Sequence, residues 1–183
     1  MNQLTTMRIS RLAEFTVLLV TDNPDDRARV ILAFMRAARN VRISVTEDSR
    51  QMRDYLSGVP AYSDRDAYPI PQLILLDLDL PHKSGFDTLE WLRTEPRLNS
   101  IPVIVLTASR QASDIDAAYA LGASSCVLKS VDEDAMQDIA RGIGDYAELL
   151  NAGLVGDYKN ASAGDGSRFV SRPTSPIFVP ANS

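Results

Sequence analysis

The sequence predicts an α/β fold, a doubly wound parallel sheet of five βα units. Three observations lead there. Short apolar runs recur between residues 16 and 128, as in strands buried on both faces. Between them, apolar residues fall at spacings of three and four, the period of a helix with one buried face. Four of the five runs give way to residues able to do chemistry: Asp22, Asp77, Thr107 and Lys129.

The elements follow in order. Residues 1–13 form an N-terminal extension in which Leu4, Met7, Ile9 and Leu12 suit one short amphipathic turn. Thr16–Val20 is apolar after its first residue and reads as a central strand. Asp22 or Asn23 can cap the next helix, with Pro24 near its first position. That helix runs to about Arg39, with Val30, Ile31, Phe34, Ala37 and Ala38 on one face. Val41–Val45 alternates and reads as an edge strand. A short helix over Ser49–Leu56 comes next. Gly58 to Pro71 is a loop with three prolines, read as a solvated insertion.

Leu73–Leu76 is the most apolar strand, set off by Pro71 and Pro81, and Asp77 follows at once. Pro81–Gly85 is a turn. A helix then carries Phe86, Leu89, Trp91 and Leu92 and stops before Pro96. Pro102–Leu106 is the fourth strand. The fourth helix, Ala112–Leu121, turns Ile115, Ala118 and Tyr119 inward and ends at Gly122. Ser125–Leu128 is the fifth strand. Asp132, Glu133 and Asp134 suit the first turn of a last helix, where the dipole favours negative charge. Its stripe is Met136, Ile139, Ile143, Tyr146 and Leu150; Gly142 and Gly144 weaken it by about 1 kcal/mol each. With an edge-like second strand, the order expected is 2-1-3-4-5, the flavodoxin-like arrangement. From residue 151 onward, 19 of 33 residues are Gly, Ser, Pro, Ala or Asn, so a flexible C-terminal tail over 151–183 is expected.

Composition narrows the function. A net charge of −5 offers no basic surface for nucleic acid. One cysteine and one histidine exclude a disulfide scaffold and the usual zinc or histidine centres. No apolar run approaches the ~20 residues of a membrane span, and no signal peptide is evident. A cytoplasmic protein is the expectation.

Singly, Asp77 reads as a cap of a strand or turn, and Asp22 as a helix cap. Together the strand ends say more. In this topology they share one edge of the sheet, where α/β folds bind ligands. Two neighbouring carboxylates repel unless a cation joins them. An oxygen-ligated Mg²⁺ fits, and Lys129 adds a point charge. Thr107 adds a neutral donor. The set suits phosphoryl transfer onto a carboxylate, with Asp77 as nucleophile.

Over about residues 14–150 the chain resembles a response-regulator receiver domain. The matching pieces are Val17-Leu-Leu-Val-Thr-Asp22-Asn-Pro, Leu75-Leu-Asp77-Leu-Asp79-Leu-Pro81 with Gly85, Ile104-Val-Leu-Thr107-Ala108 and Val127-Leu-Lys129. The resemblance implies that Asp77 accepts a phosphoryl group from a sensor histidine kinase. It implies that Asp22, Asp77 and the main-chain carbonyl of Asp79 bind Mg²⁺, and that Thr107 and Lys129 read out phosphorylation. The Asp-Asn-Pro turn, the Pro-rich loop with Tyr62, Glu95-Pro96, Ile101-Pro102 and Lys129-Ser130 are similar to single-domain regulators paired with bacterial phytochrome-type kinases. Such proteins tend to dimerise through the fourth helix, fifth strand and fifth helix, here within residues 112–150.

Three departures stand out. Thr21 occupies the place of a first acid, which predicts weaker Mg²⁺ binding. Cys126 replaces the aromatic switch residue three before the lysine. Ser130 replaces a proline. The first two favour one alternative, a pseudo-receiver that binds partners without phosphate. Another alternative is a haloacid-dehalogenase-like phosphatase, with Asp77 as nucleophile and Asp79 as general acid. That reading needs a later acidic pair at a strand end, whereas Asp132 and Asp134 fall at a helix start. No output domain is expected after residue 150, so output would be by protein contact.

Overall fold

Apolar strands alternate with amphipathic helices in the structure, a computed structural model that describes residues 15–38, 40–80, 85–129 and 132–152. The expected extension over 1–13, the turn over 81–84, Ser130 and the tail from 153 lie outside the described residues.

The elements are β1 (Phe15–Val20), α1 (Pro24–Ala37), β2 (Val41–Thr46), α2 (Ser49–Ser57), a 3₁₀ turn (Pro60–Tyr62), β3 (Leu73–Asp77), α3 (Gly85–Thr94), β4 (Val103–Thr107), α4 (Ala112–Ala120), β5 (Ser125–Leu128) and α5 (Glu133–Asn151). All strand pairs are parallel, in the expected order β2-β1-β3-β4-β5. The strands alternate between two apolar layers. Leu18, Val20, Ile74 and Leu76 pack toward Met52, Leu89 and Leu92 of α2 and α3. Val17, Leu19, Leu73 and Leu75 pack toward Phe34 of α1 and Met136 and Ile143 of α5. Burial on both faces makes these runs apolar throughout, where a half-exposed strand would alternate.

Local chemistry sets the helix starts. The Asn23 side chain accepts from the Asp25 and Asp26 amides at 2.8 and 3.1 Å, with Pro24 in the first turn of α1. Asp48 caps α2 through the Gln51 amide, and Asp132 caps α5 through the Ala135 amide.

The structure differs from the expectation in four places. β3 runs one residue further and ends on Asp77 itself. Tyr119, expected inward on α4, is 40% exposed, and Ala118 is the buried residue of that helix. Neighbouring helical residues point about 100° apart, so only one of the two can face the sheet squarely. Tyr146 is 44% exposed and touches the core with its ring, edge-on to Phe15. The loop after α2 is built into the fold. Arg65 donates to the carbonyls of Tyr55, Leu56 and Tyr68, serving the open end of α2. Tyr55, Tyr62 and Tyr68 meet ring to ring with centroids 5.0–5.9 Å apart.

Gly144 also has a role that propensity hides. A Cβ there would lie 2.8 Å from Ala38 Cβ, so its absence lets α5 approach the end of α1.

Candidate functional site

The apolar run Leu73–Leu76 carries Asp77 to the carboxyl end of the central strand. Asp77 is fully buried. A buried carboxylate is costly unless both oxygens are satisfied. Here they are. Oδ1 accepts the Asp79 amide at 2.8 Å. Oδ2 accepts the Thr21 hydroxyl at 2.8 Å and the Lys129 ammonium at 2.7 Å.

Thr21 reaches Asp77 because β1 and β3 are neighbours in register, Val20 beside Leu76. Its hydroxyl is fixed from behind by the Asn23 amide at 3.2 Å. Lys129 follows β5, two strands from β3, and spans the gap with its four-carbon stem. Its amide is tied to the Thr107 carbonyl at 2.8 Å. Beneath the pocket, a Cβ on Gly85 would lie 2.4 Å from Leu78 Cα and 2.7 Å from the Asp77 carbonyl oxygen. Glycine is required there for α3 to start against the β3 turn.

Lys129 serves two more acids. Its Nζ is 3.1 Å from Asp26 Oδ2 and 3.2 Å from Asp79 Oδ2. Burial works against its charge, but its hydrogen bond to Asp77, the charge of Asp77 and its hydrogen bonds to Asp26 and Asp79 outweigh it and hold Lys129 above the usual lysine range. Arg29 also lies 3.9 Å from Asp26, so three carboxylates face two cations and one negative charge is left over.

Of the two acids and the amine expected at this edge, Asp77 and Lys129 are in direct contact, and the Asp79 side chain meets the same ammonium. Asp22 stands outside this hydrogen-bonded set. It is exposed and, among the described residues, makes no hydrogen bond or ion pair. Asp26, one helical turn later, takes a place in the pocket that the sequence reading missed. Its signal was there: Asn23 as cap puts Asp26 in the first turn of α1, facing the same edge as the strand ends. Thr107 is buried at the end of β4, diagonally across from Asp77, and its hydroxyl accepts the Ser109 amide at 3.0 Å. Cys126 is buried, and its thiol is pushed up by burial, partly offset by a hydrogen bond from Tyr119.

Among the described residues, no three His, Cys, Asp or Glu side chains are grouped to hold a metal ion. The expected set has two carboxylates, Asp22 and Asp77, and takes its third ligand from the Asp79 main chain, so it is not a group of this kind. The donor chemistry fits a hard divalent cation: the acids offer only oxygen, and they outnumber the cations Lys129 and Arg29 that face them.

The comparisons agree with this fold. The response regulator receiver domain family matches residues 17–141. The probable methanogenesis regulatory protein FilR2 of Methanothrix harundinacea is 30% identical over 132 residues, covering 72% of this chain and 83% of that protein. The response regulator Rcp1 of Synechocystis sp. is 32% identical over 117 residues, covering 62% and 76%. The crystal structure of its Mn²⁺-bound form superposes with a TM-score of 0.62 at 30% identity, over 72% of this chain and 93% of that one. The phosphorylated cyanobacterial phytochrome response regulator RcpA superposes with a TM-score of 0.66 at 29% identity, over 75% and 96%. With Asp77 and Lys129 paired at the carboxyl edge of a 2-1-3-4-5 sheet, this chain belongs to the response regulator receiver domain family.

Proposed function

We propose that this chain acts as a single-domain response regulator that takes a phosphoryl group from a sensor histidine kinase onto Asp77. The observation that carries the reading is the buried Asp77 carboxylate held by Lys129 at 2.7 Å. In the transfer, an Asp77 oxygen forms a bond to phosphorus as the bond from phosphorus to the kinase histidine breaks. The bonding pair leaves with the imidazole nitrogen. Lys129 faces the charge that gathers on the phosphoryl oxygens. Thr107 would turn its hydroxyl from the Ser109 amide toward one of them.

Asp77, the Asp79 carbonyl and Asp22 would hold Mg²⁺, which supplies charge neutralisation when bound. A Mn²⁺-bound Rcp1 supports a divalent ion in this kind of pocket. A phytochrome-type kinase is the proposed partner, on the similarity to RcpA. Exposed Tyr119 on α4 and Tyr146 and Leu149 on α5 support a homodimer through the 112–150 face. No helix among the described residues is long and apolar enough to cross a membrane, and a cytoplasmic location is proposed.

A pseudo-receiver is the second reading, favoured by the hold of Lys129 on all three pocket acids. The phosphatase reading loses its later acidic pair, because Asp132 is spent as the cap of α5. The test is incubation with acetyl phosphate and Mg²⁺. Labelling of wild type that is lost with chelator and in Asp77→Asn supports the proposal. No labelling of wild type, or equal labelling of Asp77→Asn, overturns it.

A further inference from the structure

Lys129 is held at both ends by one helix. Its Nζ lies 3.1 Å from Asp26 Oδ2. Its own carbonyl accepts Arg29 Nη2 at 2.6 Å. Asp26 and Arg29 are three residues apart on α1, and Arg29 Nη2 lies 3.9 Å from Asp26 Oδ1. The three residues close a ring: acid to ammonium, guanidinium to carbonyl, guanidinium to acid. Asp26 and Lys129 are both largely buried, at 17% and 13% side-chain exposure. Contacts so shielded from solvent are screened far less than surface pairs.

We propose that Asp26 and Arg29 are positioning residues of the phosphorylation site, acting on Asp77 through Lys129. The inference rests on the phosphoryl-acceptor reading of Asp77. A lysine ends in a flexible stem, so its ammonium is useful at a reacting centre only if something fixes its direction. Asp77 and Asp79 attract it, but they lie on the side where the phosphoryl group must arrive. Asp26 pulls from the α1 side. It shares the ammonium with Asp77, so the nucleophile is not fully neutralised, and it keeps the ammonium at the pocket rim. Arg29 fixes the backbone from which the stem starts. The machinery of transfer thus extends from the sheet edge into the first two turns of α1.

The test is the rate of phosphorylation by acetyl phosphate at saturating Mg²⁺, over a range of donor concentrations. Asp26→Asn and Arg29→Gln are each expected to lower the saturating rate at least fivefold. The donor concentration for half-saturation should change less than twofold, and Asp26→Glu should recover part of the loss. In a Lys129→Met background, Asp26→Asn should have no further effect, because the residue it acts through is gone. A second readout needs no phosphorylation: the ¹H–¹⁵N signal of the Lys129 ammonium should shift or broaden in Asp26→Asn while the folded backbone spectrum persists. Wild-type rates in Asp26→Asn, an equal loss in the Lys129→Met background, or an unchanged ammonium signal would overturn the proposal. If wild type and Asp77→Asn label alike, the acceptor reading fails, and the ammonium signal still decides the role of Asp26.

Discussion

The Thr21 hydroxyl donates to Asp77 Oδ2 at 2.8 Å, the same oxygen that the Lys129 ammonium holds at 2.7 Å. A residue that brings no charge to the pocket thus adds a hydrogen bond to it. Thr21 is fully buried, so the bond is sheltered from water.

Thr21→Val keeps the shape and removes the donor. Hydrogen bonds to charged groups contribute about 1.5–3 kcal/mol, and a loss of that size is expected in urea unfolding. The Asn23 amide loses its partner as well, so the cost should fall toward the upper end. A change below about 0.5 kcal/mol, the ordinary scatter of a neutral surface substitution, would contradict the role given to Thr21.

Lys129→Met leaves Asp26, Asp77 and Asp79 facing one another without their cation. Breaking a buried pair by removing one partner costs about 3–5 kcal/mol. Thermal unfolding in chelator should show it. Millimolar Mg²⁺ should return part of the lost stability to the variant, and more than it adds to wild type, since ligand bound to the folded state stabilises it.

The pH dependence has a definite sign. Lys129 is raised in the folded state relative to its unfolded value of about 10.4. The folded protein therefore holds this proton more tightly than the unfolded chain. The stability so gained is complete below the unfolded value and is lost as pH climbs through the higher folded one. Above about pH 10 wild type should lose stability more steeply than Lys129→Met, as measured by denaturant midpoints across that range.

Two glycines of α5 should respond in opposite ways to alanine. Nothing lies within 4 Å of a Cβ on Gly142, whereas one on Gly144 would meet Ala38 Cβ at 2.8 Å. Gly142→Ala should stabilise by about 0.5–1 kcal/mol through helix propensity alone. Gly144→Ala should cancel or reverse that gain by forcing α5 away from α1. Equal stabilisation by both would show that the contact is soft.

Gly85→Ala should be more damaging. The added methyl meets backbone at 2.4–2.7 Å, at Leu78 Cα and the Asp77 carbonyl, so moving the nearby Leu78 side chain would not relieve it. Overpacking of this kind costs about 1–3 kcal/mol. Because the displaced backbone carries Asp77, labelling by acetyl phosphate should fall along with the urea midpoint.

Periodicity alone was enough for the order of the elements, the parallel sheet and the placing of Asp77 and Lys129 at one edge of it. Apolar runs and helical spacings are consequences of burial, and a right-handed βα topology puts every strand end on one edge. The partners at that edge needed the fold. Asp22 and Asp26 differ by one helical turn, and only the turn at Asn23 and the start of α1 decided that Asp26 faces Lys129 while Asp22 faces solvent. The tie from Arg29 to the Lys129 carbonyl joins residues 100 positions apart, and Arg65 reaches back to the end of α2 from a loop that composition marks only as polar. Pattern records which side of an element is buried. Which long polar side chain finds which partner depends on distances across the fold, and no local spacing encodes them.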